Sequence, residues 1–394
     1  MSKGNKTYWK GIEQLKNDPS FVKNAHNEFP EFLPIKGSSD NSRRDFLKMM
    51  GFGLAAVTTV ACEAPVKYAI PYVDKPVDVD ASLANYYAST YQMGSDYCSV
   101  VVKTREGRPI KIDGNKFSKI SAGCTSSQVE SSVLTLYDRQ RLESPMLENK
   151  ESNWKSVDDY IKNKLANSQD KKTYVVSHSM SSPSSLKIID QFCKKFNGEH
   201  IQYDSVSYNG MLEANEIHYG KRKLPFYDFA KAKVVVSFGY DFLGSSFNHN
   251  LFNKQFTERR KVNRDNREMS RLYTFESNLS LTGANSDHRI PIRSEHSSIY
   301  ITELWNILSK KLYGNNSKQI KYNPEKKELV KVDILEKVVE DLLENIGESL
   351  IISDSNDTNV QLVVNMINSA LGNYGKSINV NKSYNIRNGD DGKM

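Results

Sequence analysis

Four short runs limit what this chain can fold into: TYVVS (173–177), KVVVSF (233–238), RLYTFE (271–276) and LIIS (350–353). Each is rich in β-branched and aromatic residues and too short for a helix, and TYVVS reads as a buried strand. Polar loops follow, then amphipathic runs such as LKIIDQFCKKF (186–196) and NVQLVVNMINSALG (359–372). In VDILEKVVEDLLENIG (332–347), Ile334, Leu335, Val338, Val339, Leu342 and Ile346 share one helical face, and Gly347 suits the cap. Strands alternating with helices specify an α/β fold, a parallel sheet with helices on both faces. Sites in such folds gather at loops beyond the strand carboxyl ends, here 177–182, 239–244 and 354–358. The chain stops at GDDGKM with no helix after the strand-like SINV (377–380), so this α/β domain, 151–394, is expected to be truncated at its C-terminus.

A small β-rich unit precedes it over 91–150. CSVVVKTREGRPIKIDGN (98–115) reads as two strands around Glu106-Gly107, with Ile110 and Ile112 on one face and Lys111 on the other. Pro65, Pro71 and Pro76 punctuate an extended linker over 63–90.

Residues 1–62 form a polar arm and a leader. SRRDFLKMMGFGLAAVTTVAC (42–62) sets Arg43, Arg44, Phe46 and Leu47 before an uncharged run from Met49 to Cys62. As a helix that run covers about 21 Å, short of a bilayer core of about 30 Å. The pattern is that of a twin-arginine export signal, which implies passage through the twin-arginine machinery and work at the periplasmic face of the inner membrane. Cys62 follows Val60-Ala61 as a lipidated cysteine would, with Thr59 where an aliphatic residue is usual. Lipidation at Cys62, cleavage elsewhere and retention of the signal all stay open.

The excess of 54 Lys and Arg over 47 Asp and Glu, a net +7, is mild and dispersed, and does not point to nucleic acid. The densest basic stretch, 254–271, is interrupted by Glu258, Asp265 and Glu268 and reads as a solvated surface insertion. Four cysteines with no CxxC make no disulfide framework. Ser177-His178-Ser179 lacks a nucleophile elbow, His249 and His288 lack partners at ligand spacing, and no P-loop or GxGxxG occurs.

The leader, GRPIKIDGN (107–115), SAGC (121–124), LYDRQRLESPM (136–146), VVVSFGYDFLG (234–244) and NSDHRIPIR (285–293) occur in an order that resembles the large subunit of molybdopterin oxidoreductases. YWKGIEQL (8–15), YYAST (86–90), VSYNGMLEAN (206–215) and ESNLSLTGANSDHRIPI (276–292) resemble one branch of it, the iron–sulfur subunit of bacterial alternative complex III, a quinol-oxidising respiratory assembly.

The resemblance tests particular residues. Family members hold a cluster with C-x2-C-x3-C and a further cysteine about 27 residues on, because each iron needs a thiolate. Cys98 and Cys124, 26 apart, match the last two positions, but Tyr91 and Gly94 stand at the first two, so these are degenerate cluster positions. The molybdenum-ligand position falls on Ser207, which reads as a turn or helix-cap serine. The Pro-Gly-Thr-Asp that approaches the pterin after Pro-Ile-Arg is replaced by Ser294-Glu295-His296-Ser297. Glu295 adds bulk and negative charge where glycine lets the backbone approach, and Ser294 and Ser297 complete a degenerate pterin site.

The resemblance therefore implies a cofactor-free structural and docking segment of a membrane-associated respiratory complex. No catalytic residue, resident metal or molybdopterin is expected in 1–394. Iron–sulfur clusters (4Fe-4S, 3Fe-4S) are expected beyond it, and the expected partners are an integral membrane quinol-binding subunit and multihaem cytochromes. Two alternatives stand beside this: a catalytic molybdopterin-dependent large subunit acting on a sulfur or nitrogen oxyanion, and a stand-alone exported lipoprotein with an α/β binding cleft.

Overall fold

The computed structural model describes residues 83–93, 96–167, 171–262, 267–323 and 328–394, with 19 and 264. The leader residues Arg43, Arg44, Phe46, Leu47 and Cys62 lie outside the described residues. The chain divides into units Met1–Lys75 and Pro76–Met394, and every element below belongs to the second.

That unit begins with an antiparallel sheet, β1 (Asn85–Met93), β2 (Asp96–Arg105) and β3 (Arg108–Gly114), so the first strand starts inside the stretch read as linker. Glu106 and Gly107 both take positive φ, as a two-residue hairpin turn between right-twisted strands requires. Cys98, Val100 and Thr104 alternate inward on β2, and Cys98 and Val100 meet Ile112 and Val129, the latter on α1 (Ser127–Ser131). Ile110 does not share the face of Ile112. The register jumps between Lys103↔Lys111 and Thr104↔Pro109, so Ile110 is the extra residue of a bulge and is 47% exposed.

After a small hairpin, β4 (Met146–Leu147) and β5 (Lys150–Glu151), helix α2 (Trp154–Ala166) starts at Asn153, whose side chain accepts the Ser156 N–H. Next, β6 (Thr173–Ser177), α3 (Pro183–Lys195) and β7 (Gly198–Gln202) form a two-stranded parallel sheet with its helix. TYVVS is a strand but is not buried: Tyr174 and Val176 are 53% and 54% exposed, because two strands and one helix cover a single face.

The main body contains α4 (Asn209–Tyr219), β8 (Leu224–Tyr227), β9 (Val234–Phe238), α5 (His249–Arg260), β10 (Arg271–Glu276), α6 (Leu281–Ala284), β11 (His288–Pro291), α7 (Ser297–Tyr313), α8 (Val332–Glu344), β12 (Ser349–Ser353), α9 (Thr358–Ala370) and β13 (Ile378–Tyr384). A four-stranded parallel sheet runs β11-β10-β9-β12, and β13 pairs antiparallel with β8.

The strand period of two splits the sheet's side chains between two cores. Val234, Val236, Phe238, Tyr273, Phe275 and Ile351 meet Leu304, Leu335, Val338 and Ile367 from α7, α8 and α9. Val235, Leu272, Leu350 and Ile352 meet Met211 and Leu212 of α4 and Phe252 and Phe256 of α5. Each such side chain contributes about 1.5–3 kcal/mol, so burial on both faces fixes the sheet. The outer edge of β12 is closed by a side chain: Asn368 Oδ1 accepts the Ile351 N–H at 3.1 Å, and Nδ2 donates to Ile351 O at 2.8 Å. One amide thus completes the ladder of an edge strand.

Two readings need correction. Ile346 is 50% exposed, because α8 ends at Glu344 before its apolar face reaches that position. The basic stretch 254–271 keeps most of its described charged residues exposed, as a solvated surface would, but it does not begin as an insertion. Its first part is the end of α5, with Gln255 and Phe256 buried; Arg260 pairs with Asp287 through two bonds of 2.7 and 2.8 Å, and Arg271 opens β10 paired with Asp341. The acids that neutralise these arginines lie elsewhere in sequence, which a window count does not reach.

Candidate functional site

From β9 the chain moves to β10 on one side, and it returns for β12 on the other. The usual ligand crevice of such sheets therefore falls at the carboxyl ends, between the loops leaving β9 and β12. The expected loops 239–244 and 354–358 border it. The third, 177–182, follows β6 in the smaller sheet.

Helix N-termini at a crevice offer unpaired N–H groups and a positive dipole end to an anion. At α4, α6 and α9 several of those donors are taken by this chain's side chains, whereas α5 has no side-chain cap and its His249 N–H goes to Ser246 O. Asn356 Oδ1 accepts the Gly210 N–H of α4 at 2.9 Å, and Ser207 Oγ accepts the neighbouring Asn209 N–H at 3.0 Å. Asp357 Oδ1 accepts the Asn359 N–H of α9 at 2.7 Å. Asp241 Oδ1 accepts both the N–H and hydroxyl of Thr282, on α6, at 3.0 and 2.8 Å. Side chains bridge the two sides: Glu213 accepts from Asn209 at 2.9 Å and from the Thr358 hydroxyl at 2.6 Å, bonds that hold its carboxyl below the usual carboxylate range.

The C-terminal stretch laces over this arrangement. Asp391 Oδ2 accepts from Ser207 Oγ at 2.7 Å and from Asn356 Nδ2 at 3.0 Å. Upstream, the Asp390 N–H donates to Gln202 O at 3.0 Å, and the Asn388 N–H donates to Ser179 Oγ, which itself donates to Asp204.

Acids stand at the end of, or just beyond, three of the four parallel strands. Glu276, buried at the end of β10, accepts from Arg289 Nε and Ser280 Oγ, both at 2.6 Å. Asp241 follows β9. Asp354, following β12, is open to solvent on one side but crowded by protein, and this desolvation pushes its carboxyl above the usual carboxylate value. A Cβ on Gly239, where φ is +70°, would lie 2.5 Å from either Asp354 carboxylate oxygen.

The remaining sequence-selected residues fall into two other places. Ser294, Glu295 and Ser297 follow β11, two strands from β9. Ser294 Oγ donates to Ser277 Oγ at 2.9 Å, Glu295 is exposed between Arg293 and His296 at 3.5 Å each, and Ser297 opens α7. Cys98 and Cys124 lie in the small sheet unit and both face α5. Asn250 Nδ2 donates to Cys98 Sγ at 3.4 Å, while Lys254, bonded to Ala122 O, and Glu258 act on Cys124. Tyr91 is the cross-strand partner of Cys98. Among the described residues no three His, Cys, Asp or Glu side chains gather as a metal would require.

His249 Nδ1 lies 3.1 Å from Ser246 O, and His288 stacks on Tyr273. Sequence reasoning missed His200, whose Nε2 is 2.8 Å from Ser177 Oγ across β6 and β7. The Ser177 hydroxyl also lies 2.8 Å from His178 O, a carbonyl that competes with the imidazole for its single proton, and no carboxylate is bonded to His200 among the described contacts.

A molybdopterin dinucleotide would bring a diphosphate to the crevice. There Asn356, Ser207, Asp357 and Asp241 already accept N–H groups of α4, α9 and α6, Asp241 and Asp354 add negative charge against it, and Arg222, a nearby cation, donates to Asn209 and Gly389 O.

No family model matches the chain, and no curated protein matches it. Among solved structures it is similar to acetylene hydratase from Pelobacter acetylenicus, at TM-score 0.48 and 10% identity, over 72% of this chain and 43% of that one. It is also similar to the formyltransferase/hydrolase complex from Methylorubrum extorquens in complex with methylofuran, at TM-score 0.40 and 11% identity, over 58% of this chain and 57% of that one. Both likenesses are distant, and the chain spans less than two thirds of either protein.

Proposed function

We propose that this chain is a structural and docking segment of a membrane-associated respiratory complex that oxidises quinol, built on a molybdopterin-oxidoreductase-like α/β body that has lost its cofactor. Export by the twin-arginine route sets it at the periplasmic face of the inner membrane, beside an integral quinol-binding subunit and multihaem cytochromes. The observation that carries the reading is the self-satisfied crevice, in which Asn356, Asp357, Asp241 and Ser207 accept the N–H groups an anionic cofactor would need. A fold that keeps its sheet but spends its ligand-binding donors on itself supports scaffolding over turnover.

Affinity purification of the full-length protein from detergent-solubilised membranes tests this. Co-migration with c-type haem and with quinol:acceptor activity on a native gel is expected. Recovery as a lone haem-free monomer would reject the assignment.

A further inference from the structure

Away from the crevice, a cavity of about 500 Å³ opens where the β8–β13 ribbon meets β2 and the loop after β6. Its floor is aromatic. Tyr97, Phe226 and Tyr384 line it, and the last two rings lie 5.9 Å apart at 31°. Lys119 and Lys382 complete the lining, which includes no acidic residue. Neither ammonium group forms an ion pair among the described residues.

A local irregularity places Lys382. The β8–β13 register jumps from Asn379↔Phe226 to Ser383↔Pro225, which leaves three residues of β13 unpaired. Asn379 Oδ1 accepts the N–H groups of Asn381 and Lys382 at 2.9 and 3.0 Å, and this turn sets the Lys382 ammonium 5.9 Å above the Phe226 ring. Bulges re-aim side chains in this way beside binding sites.

The volume falls in the range of small-ligand pockets, about 300–1,000 Å³. Flat π surfaces favour a planar unsaturated body, and two lysines without carboxylate partners favour a negative head group. We infer that this cavity binds a small organic anion with a planar apolar body, its carboxylate or sulfonate held between Lys119 and Lys382.

Titration of the full chain with 1-anilinonaphthalene-8-sulfonate tests the inference, with neutral N-phenyl-1-naphthylamine as the uncharged comparison. Saturable binding at one equivalent is expected. The double variant Lys119→Ala/Lys382→Ala should weaken the sulfonate at least tenfold and shift the neutral probe less than twofold. Lys231→Ala/Lys376→Ala, on a separate basic surface, should leave both affinities unchanged. Circular dichroism of each variant establishes that it is folded; the substituted lysines are surface groups. Absence of saturable sulfonate binding, equal loss in the two double variants, or unchanged affinity in Lys119→Ala/Lys382→Ala would overturn the inference.

Discussion

The side-chain oxygen of Asn356 accepts the backbone N–H of Gly210 at 2.9 Å, joining the loop after β12 to the first turn of α4 across the crevice. The approach depends on glycine: a Cβ at position 210 would lie 2.2 Å from the Asn356 carbonyl oxygen. Gly210→Ala should destabilise the fold by about 1–3 kcal/mol through this backbone collision. Asn356→Ala, which leaves the N–H without its acceptor, should cost about 1–3 kcal/mol when that group stays dry. Urea midpoints at constant m-value measure both. Unchanged midpoints would mean that the two segments are not held together.

Asp354 gives a pH signature. Its folded carboxyl is pushed up by desolvation, so the native state holds its proton to higher pH than the unfolded chain. Stability from this group is therefore greatest at low pH and falls as pH rises from the unfolded carboxyl value, about 4, through the raised folded value. Asp354→Asn should raise the melting temperature at pH 7, and the gain should vanish near pH 3. Glu213 is opposite: its pKa is lowered, so its contribution is present above the unfolded value and is lost as pH falls through the folded one. Glu213→Gln should lower the melting temperature at pH 7 and matter less in acid.

Much of this frame was legible in sequence. RLYTFE proved to be β10 itself, and the face of Leu335, Val338, Val339 and Leu342 is buried, because side-chain period alone determines both. Ile110 and Tyr174 were misplaced because a bulge and the width of a sheet depend on partners that no local window contains. The crevice contacts were illegible for a related reason. Ser207 meets Asp391, and Gly210 meets Asn356, from the far end of the chain. The Asp and Asn residues of DSNDT marked a loop, but nothing local marked its partner.

Asn368 closes the β12 edge, donating to Ile351 O and accepting from Ile351 N. Asn368→Ala should strip both backbone groups of partners and cost about 2–4 kcal/mol, a sum of buried unsatisfied groups. Hydrogen exchange at the Ile351 amide should accelerate more than at Val236 in the sheet centre. Equal acceleration at the two sites would indicate global loosening instead of an opened edge.

Cys124 is half-buried, and its thiol pKa is raised, chiefly by burial; Lys254 opposes the shift and Glu258 adds to it. Iodoacetamide at pH 8 should modify it more slowly than an unfolded cysteine. Lys254→Ala should slow alkylation further and Glu258→Gln should speed it, as followed by peptide mass spectrometry. Alkylation at the unfolded rate would contradict a desolvated thiol.

On the proposed function the strand-end crevice is filled by its own chain and seats no dinucleotide cofactor. The most direct test measures molybdenum by mass spectrometry and pterin by fluorescence after oxidative extraction, on full-length protein purified from its native membrane. Neither above the background of a mock purification is the expected result; molybdenum and pterin near one equivalent per chain would contradict the account.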